Sequence, residues 1–407
     1  MKILHTADWH IGKLLHKHSL HEELQFFFDW LLQIVKSEDV NVLLISGDIF
    51  DKANPTLDDR ALYFQFLKKL IALKLKVIVT GGNHDSIRYL DAPSEILQFL
   101  DIRVIGGARK NLEEELIEII NNQDELELIV AAVPFLRDKD VRDPSTDEQF
   151  KNRAEAIRYG IEKHYNDLAQ IAQKKYADIP IIAMGHLYAK GSIESESERE
   201  IHIGNQAAID SKIFHKTYNY VALGHIHRPQ IINKNPFIRY SGSPIPLSFS
   251  EKKDTKSVIL LQLENSKLAE PKVLQIPVQR AFVKITGNIL ELKEKLISFE
   301  NNFPLPAFIE LECLEKNFSA LILKEVDDLV SEMNQNSQEF KILKHRVRFE
   351  QGGKDTSELF ASGIQIEDLS PTEVFLKRIE NEPIENKQEI LEAFQELLEI
   401  TAAELNE

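Results

Sequence analysis

The sequence predicts a layered α/β core, then a small α+β domain and a helical tail. Three observations carry this. Short apolar runs alternate with helical patterns over about the first 277 residues. The pattern changes around Pro271–Pro277 and restarts as strand, helix, strand, helix, strand up to Phe349. Beyond Gly352-Gly353 a polar linker leads into two helical stripes. At 407 residues the chain is too long for one ordinary domain. The expected divisions are 1–277, 278–352 and 353–407.

The core strands are expected at Val42–Ile45, Val77–Val79, Ile129–Val133, Ile181–Met184 and Tyr220–Leu223. Nearly continuous apolar runs of this kind suit strands covered on both faces. A helix from Glu22 to Lys36 places Leu24, Phe27, Phe28, Leu31, Leu32 and Val35 at helical spacing. Phe26, Phe27, Phe28 and Trp30 make that helix densely aromatic, and core packing is the expected use of most of them. The stretch from Asp147 to Lys175 is also helical in pattern. The small domain reads as Phe282–Thr286, Leu290–Phe299, Phe308–Glu312, Ala320–Met333 and Phe340–Phe349. In the tail, Ser370-Pro371-Thr372-Glu373 is a capping box with proline at the first helical position. A second helix carries Ile390, Leu391, Phe394, Leu397, Leu398 and Leu405 on one stripe. That stripe either closes the protein's own core or docks on a partner.

Composition narrows the class. Hydrophobic residues are 43% and charged residues 28%, the balance of a globular protein with a real core. No apolar run reaches the ~18 residues of a membrane span, and Asp8 and His10 come too soon after Met1 for a signal peptide. The single cysteine, Cys313, excludes an intrachain disulfide framework and a cysteine-built zinc site. The cytosol is the expected compartment. With 49 Lys and Arg against 65 Asp and Glu, the net charge is -16, which argues against wrapping nucleic acid by bulk electrostatics. A local groove or bound cations would remove that objection.

Five motifs sit just after predicted strands: Asp8-Trp9-His10, Gly47-Asp48-Ile49-Phe50-Asp51, Gly82-Asn83-His84-Asp85, Gly185-His186 and Gly224-His225-Ile226-His227. Ligands of open α/β sheets collect at the carboxyl ends of strands, so these segments are expected to meet on one edge. Asp, His and Asn offer oxygen and imidazole ligands, which suit manganese, iron or zinc better than calcium. There are enough for two ions, and two ions ~3.5–4 Å apart are the usual clamp for phosphoester hydrolysis. The glycines before Asp48, His186 and His225 are expected to let the backbone turn sharply. Any one fragment alone is more often structural than catalytic; five in order at strand ends are not a coincidence.

The set resembles the calcineurin-like metallophosphoesterase family, whose ordered motifs are D-x-H, G-D-x-x-D, G-N-H-D, G-H and G-H-x-H. Pro134–Asp138, Tyr220–Arg228 and Arg239–Phe249 narrow the resemblance to nuclease subunits that work with a coiled-coil ATPase. The resemblance implies a two-sheet core, a domain that caps the active site and guides DNA, and C-terminal helices that bind the ATPase. It implies a homodimer through the nuclease domain, a heterotetramer with the ATPase, and a manganese-dependent 3′–5′ exonuclease and endonuclease on DNA ends and hairpins. DNA repair, replication and recombination are the implied setting.

By the same resemblance Asp8, His10 and His227 would hold one metal, Asn83, His186 and His225 the second, and Asp48 would bridge both. His84 would protonate the leaving oxygen or stabilise charge. Asp51 or Asp85 would orient its other ring nitrogen, Asp51 being favoured. Lys341, Lys344, Arg346 and Arg348 stand on a strand with no acidic residue between Phe340 and Phe349. They would contact the phosphate backbone, or simply solvate an exposed strand. No G-x-x-x-x-G-K-[ST] is present, so ATP would belong to the partner. Two other functions remain open on the residues: a phosphodiesterase of small esters, and a DNA-end scaffold that retains the motifs.

Overall fold

The computed structural model describes residues 1–121, 123–142, 150–198, 201, 208–317 and 319–351, together with 390 and 394. It forms two compact units. The first comprises 1–285, 298–311 and 333–344; the second comprises 286–297, 312–332 and 345–407.

The first unit is built on two mixed sheets. One takes its central strands from Lys2–Thr6, Val42–Ser46, Lys76–Thr80 and Ile102–Ile105, which run parallel in that order. Ser257–Glu264 pairs antiparallel to Lys2–Thr6 and extends the sheet. In the other, Leu126–Ala132, Ile181–His186, Tyr218–Gly224 and Asn235–Tyr240 lie parallel, flanked by Leu116–Ile120 and Gln230–Ile232. Every predicted core strand is present and extended by one to three residues at one or both ends, except that the Ile129–Val133 run, extended to Leu126, stops at Ala132.

Side chains alternate across a strand, so each sheet buries two faces. Ile3, Val42, Leu44 and Ile78 from the first sheet pack against Val130, Ile182, Met184 and Ala222 from the second. The opposite face of the first sheet, with Leu4, Leu43 and Val77, packs on aromatic helices. These are His21–Ser37 and Leu57–Ala72, the second started by a Thr56–Asp59 capping box. Phe28 stacks on Phe66 with centroids 4.2 Å apart, and Trp9 meets Phe28 edge-on at 5.0 Å. Phe27 and Phe28 are core residues, whereas Phe26 is exposed. The outer face of the second sheet is covered by Arg153–Lys175 through Ile157, Ile161, Tyr165 and Leu168. The layering is therefore helix, sheet, sheet, helix.

The strand–helix order expected after Pro277 is present as Arg280–Gly287, Ile289–Ile297, Leu305–Asn317, Ala320–Asn336 and Phe340–Gln351. The three strands form one sheet in chain order. In the second unit, Arg346 and Arg348 pair with Glu312, and His345 with Asp327. The helices expected beyond Ser370 lie outside the described residues, as do residues 147–149 of the expected Asp147–Lys175 helix. No described helix is long and apolar enough to cross a membrane.

Candidate metal centre

The site lies where both sheets end. Asp8 and His10 follow the first strand, Asp48 the Val42–Ser46 strand and Asn83-His84 the Lys76–Thr80 strand. His186 closes its own strand; His225 and His227 follow Tyr218–Gly224. Asp8, His10, Asp48 and His225 all have positive φ, at 54°, 47°, 49° and 103°. Non-glycine residues rarely adopt that region, and it is held here by surrounding bonds. The N–H groups of Asp8 and His10 donate to the carbonyls of Gly47 and Asp48, so the first two motifs brace each other.

The glycines do two different jobs. Gly47 turns the chain, with φ of 81°. Gly185 and Gly224 do not; they permit close approach instead. A Cβ at Gly224 would fall 1.8 Å from the Ser46 carbonyl oxygen, and one at Gly185 would fall 2.3 Å from the Tyr165 hydroxyl. Gly82 also serves close approach, since its Cβ would fall 2.1 Å from Asp48 Oδ1.

All seven expected ligands converge. Asp48 Oδ2 lies 3.4 Å from His10 Nε2 and 3.4 Å from His186 Nε2. On one side His10 Nε2 faces His227 Nε2 at 3.1 Å. Ligand atoms of Asp8, His10 and His227 fall within 4.8 Å of one another. On the other side Asn83 Oδ1 lies 2.9 Å from His186 Nε2 and 3.2 Å from His225 Nδ1. Asp8, Asp48 and His186 also group within 4.8 Å.

These donors fit divalent cations. His186 donates from Nδ1 to the Ser46 carbonyl (3.1 Å), and His10 from Nδ1 to Asp51 Oδ1 (3.2 Å). Carbonyl and carboxylate only accept, so a neutral ring presents Nε2 as a lone pair to the site. Asp8 Oδ2 is buried with no hydrogen-bond partner among the described residues. A bare acceptor in a dry interior is costly, and a cation relieves that cost.

The protonation pattern follows. Burial pushes Asp8 up to about 7, against the pull of His186 and His227. Burial disfavours a charged His186, yet Asp48 and Asp8 prevail and raise it to about 9. Asp48 is held well below the usual carboxylate range despite burial, because His186, His10 and His84 surround it. Burial lowers His10 to about 4 and, with His186, holds His225 well below the usual histidine range. Protons thus occupy the places that cations would take.

The other expected residues need restating. His84 is buried and donates from Nδ1 to the backbone carbonyl of Asp51 (2.8 Å), which leaves Nε2 3.9 Å from Asp48 Oδ2. So Asp51 does meet His84, but through its peptide. Its carboxylate bonds to His10 and Lys13 instead. Asp85 does not orient His84: its carboxylate accepts the N–H groups of Gly82, Ile49 and Phe50, tying the second motif to the third. Three of the four cations on the last strand have carboxylate partners: Lys344 with Glu310 (3.5 Å), and Arg346 and Arg348 with Glu312 (2.7 and 3.1 Å).

Sequence reasoning missed Lys13, Ser197, Glu198 and Glu251. Glu198 Oε1 accepts the His227 N–H at 2.9 Å, and Ser197 Oγ lies 2.6 Å from His227 Nδ1. None belongs to a motif. A buried glutamate beside a short polar turn, Ser248–Glu251, was the available signal.

A calcineurin-like phosphoesterase family model matches residues 1–229. The SbcD subunit of the SbcCD nuclease of Escherichia coli K12 is 30% identical over 405 residues, which cover 96% of this chain and 95% of that protein. The chain belongs to the SbcD family of calcineurin-like phosphoesterases. The SbcD subunit of Rhodobacter capsulatus is 34% identical over 286 residues, covering 68% of this chain and 69% of its own. The solved structure of TT1561 from Thermus thermophilus aligns at 15% identity with a TM-score of 0.38, over 68% of this chain and 99% of that one. The narrower resemblance drawn from Pro134–Asp138, Tyr220–Arg228 and Arg239–Phe249 is thus to SbcD. SbcD membership and the converging Asp, Asn and His side chains make this chain a metal-dependent phosphoesterase.

Proposed function

We propose that this chain is the nuclease subunit of an SbcCD-type complex. It hydrolyses phosphodiester bonds at DNA ends and hairpins, as 3′–5′ exonuclease and endonuclease, in repair, replication and recombination. The observation that carries the reading is Asp48 Oδ2, equidistant at 3.4 Å from the leading imidazole of each half of the site. A carboxylate oxygen so placed suits two cations.

Asp8, His10 and His227 would hold one divalent ion, Asn83, His186 and His225 the other, and Asp48 both. Manganese is the proposed metal by the family resemblance, since the ligand chemistry suits manganese, iron or zinc alike. Bound ions supply a water acidified toward neutral pH and positive charge for the phosphate. The chain's own residues do the rest. Asp51 fixes His10 through its carboxylate and His84 through its carbonyl. His84 thereby presents Nε2 toward the phosphate position, where it donates a hydrogen bond or a proton to the leaving oxygen.

Residues 1–277 form the nuclease domain and 278–352 the capping, DNA-guiding domain in this reading. Residues 353–407 bind an SbcC-like ATPase that brings its own ATP. The nuclease domains pair as a homodimer within a cytoplasmic heterotetramer. Lys341, with the outer donors of Lys344, Arg346 and Arg348, contacts the DNA backbone, weakened where Glu310 and Glu312 compete.

Linear and hairpin DNA, with manganese, with and without the ATPase, test this. DNA cleavage that the ATPase stimulates is expected. Turnover of a small phosphodiester with no DNA cleavage would replace the reading with a small-ester enzyme, and DNA binding without hydrolysis would leave a scaffold. Truncation before Ser370 should abolish ATPase binding while leaving nuclease activity on simple ends.

A further inference from the structure

His227 differs from its counterpart across the site. His186 is oriented by a backbone carbonyl, that of Ser46, which no side-chain substitution removes. His227 depends on side chains brought from elsewhere in the chain. We propose that Ser197 and Glu251 form a relay that fixes the tautomer and orientation of His227 for one of the two metal ions. They are positioning residues, and the proposal rests on the dinuclear reading above.

The shortest contacts set the direction of each bond. Glu251 is completely buried at the end of the short turn Phe249–Glu251. Its Oε2 accepts from Lys256 Nζ (2.5 Å) and the Leu247 N–H (3.3 Å). Its Oε1 accepts from the Ser197 hydroxyl, while Ser195, 3.2 Å away, gives its one proton to Glu198 Oε2 at 2.6 Å. A carboxylate paired with a lysine only accepts, and Glu251 Oε1 is nearer to Ser197 Oγ than the Ser195 hydroxyl oxygen at 2.8 Å, so the Ser197 proton points at Glu251. The Ser197 oxygen is then an acceptor toward His227 Nδ1, 2.6 Å away. His227 must donate from Nδ1, which puts the lone pair on Nε2, on the side of His10 and Asp8.

The main chain of His227 is clamped by the same cluster. Lys256 Nζ and the Ser243 N–H donate to its carbonyl at 2.9 and 3.1 Å, and Glu198 takes its N–H. Ring and peptide are thus both held, and a ligand held in one orientation loses less freedom when it binds. The bland alternative is that Glu251 merely neutralises the buried Lys256. That role leaves Ser197 without consequence, and the two accounts part at Ser197.

The test uses metal-free full-length protein titrated with manganese by calorimetry, with electron paramagnetic resonance of the bound ions. Wild type should take up two ions with an exchange-coupled signal. Ser197→Ala keeps the Glu251–Lys256 pair, so its metal-free thermal midpoint should match wild type. It should lose about 10- to 100-fold in affinity at one site only, with the coupled signal replaced by that of a single ion. Ser197→Thr keeps the hydroxyl and should restore the second ion. Wild-type affinity at both sites in Ser197→Ala, or Ser197→Thr binding as weakly as the alanine variant, overturns the relay. Failure of the wild type itself to bind two ions overturns the dinuclear reading, and the relay with it.

Discussion

His10 and His227 face each other Nε2 to Nε2 across 3.1 Å. His10 spends its Nδ1 proton on Asp51, and His227 has Ser197 at its Nδ1. With both rings neutral, two lone pairs would point at one another in a buried site. Either a proton or a cation must lie between them. His227 is held above the usual histidine range: burial alone would lower it, but Glu251, Asp8 and Glu198 raise it. In the metal-free protein a proton would fill the gap, and in a loaded protein a cation would.

That exchange sets a pH dependence. Asp8, His186 and His227 are all raised, so they hold protons in the metal-free fold that cation binding must expel. Manganese affinity should therefore increase from pH 6.5 to 9, with proton release visible as a buffer-dependent binding heat. The stability of the metal-free fold should run the other way. A raised folded value for His186 gives stability that is full below pH 6.5 and lost as pH passes about 9. Affinity independent of pH across that window would contradict this assignment.

His84→Ala and Asp48→Ala should fail differently. The His84 ring lies 3.9 Å from Asp48 Oδ2 and is oriented by a peptide carbonyl, while the bond to Asp48 Oδ1 comes from the His84 backbone N–H, which alanine keeps, so loss of the ring should leave two ions bound while turnover drops about 100-fold or more. Asp48 serves both halves of the site, so its loss should reduce bound metal as well as rate. Metal content by mass spectrometry beside the rate on DNA decides it. Full activity of His84→Ala would remove that residue from the chemistry.

Gly82→Ala should resemble Asp48→Ala without touching a ligand. The added Cβ would fall 2.1 Å from Asp48 Oδ1 and 2.3 Å from its backbone nitrogen, far inside contact distance. Asp48 must then move. We expect loss of metal binding with a folded protein by circular dichroism, whereas Gly191→Ala, in open space though at φ of 89°, should bind both ions.

The convergence of the candidate ligands was legible because each follows or closes a strand, and sheet topology delivers strand ends to one edge. The partners of those ligands were not. Asp51 was favoured as the orienter of His84 because the resemblance gives that part to the second Asp of G-D-x-x-D, but no sequence pattern tells which of its oxygens faces which ring: the carbonyl takes His84 and the carboxylate His10. Asp85 was ambiguous for the same reason and is spent on three backbone N–H groups. The four cations after Phe340 looked unopposed along their own strand. Glu310 and Glu312, which face them, sit on another strand, and sequence does not give that register. The strand, helix, strand, helix, strand order after Pro277 was readable from periodicity alone, since each piece buries one face.

Stability and metal binding should separate at Arg280. Its guanidinium bonds to Glu23 and to Glu22 (2.9 Å) and lies 4.0 Å over the Phe308 ring, nearly excluded from water. Glu23 is equally buried, so Glu23→Ala leaves a desolvated cation with its neutralising charge halved and moved to exposed Glu22. Breaking one side of a buried pair costs about 3–5 kcal/mol, and Glu22 should hold the loss near the lower figure. Glu23→Met with Arg280→Met removes both charges together and should recover most of that loss. Neither variant touches a ligand or any residue bonded to one, so manganese uptake should be unchanged below the lowered unfolding transition. Denaturant unfolding beside manganese titration reads both quantities. A Glu23→Ala protein that unfolds like wild type would show that Glu22 alone satisfies Arg280.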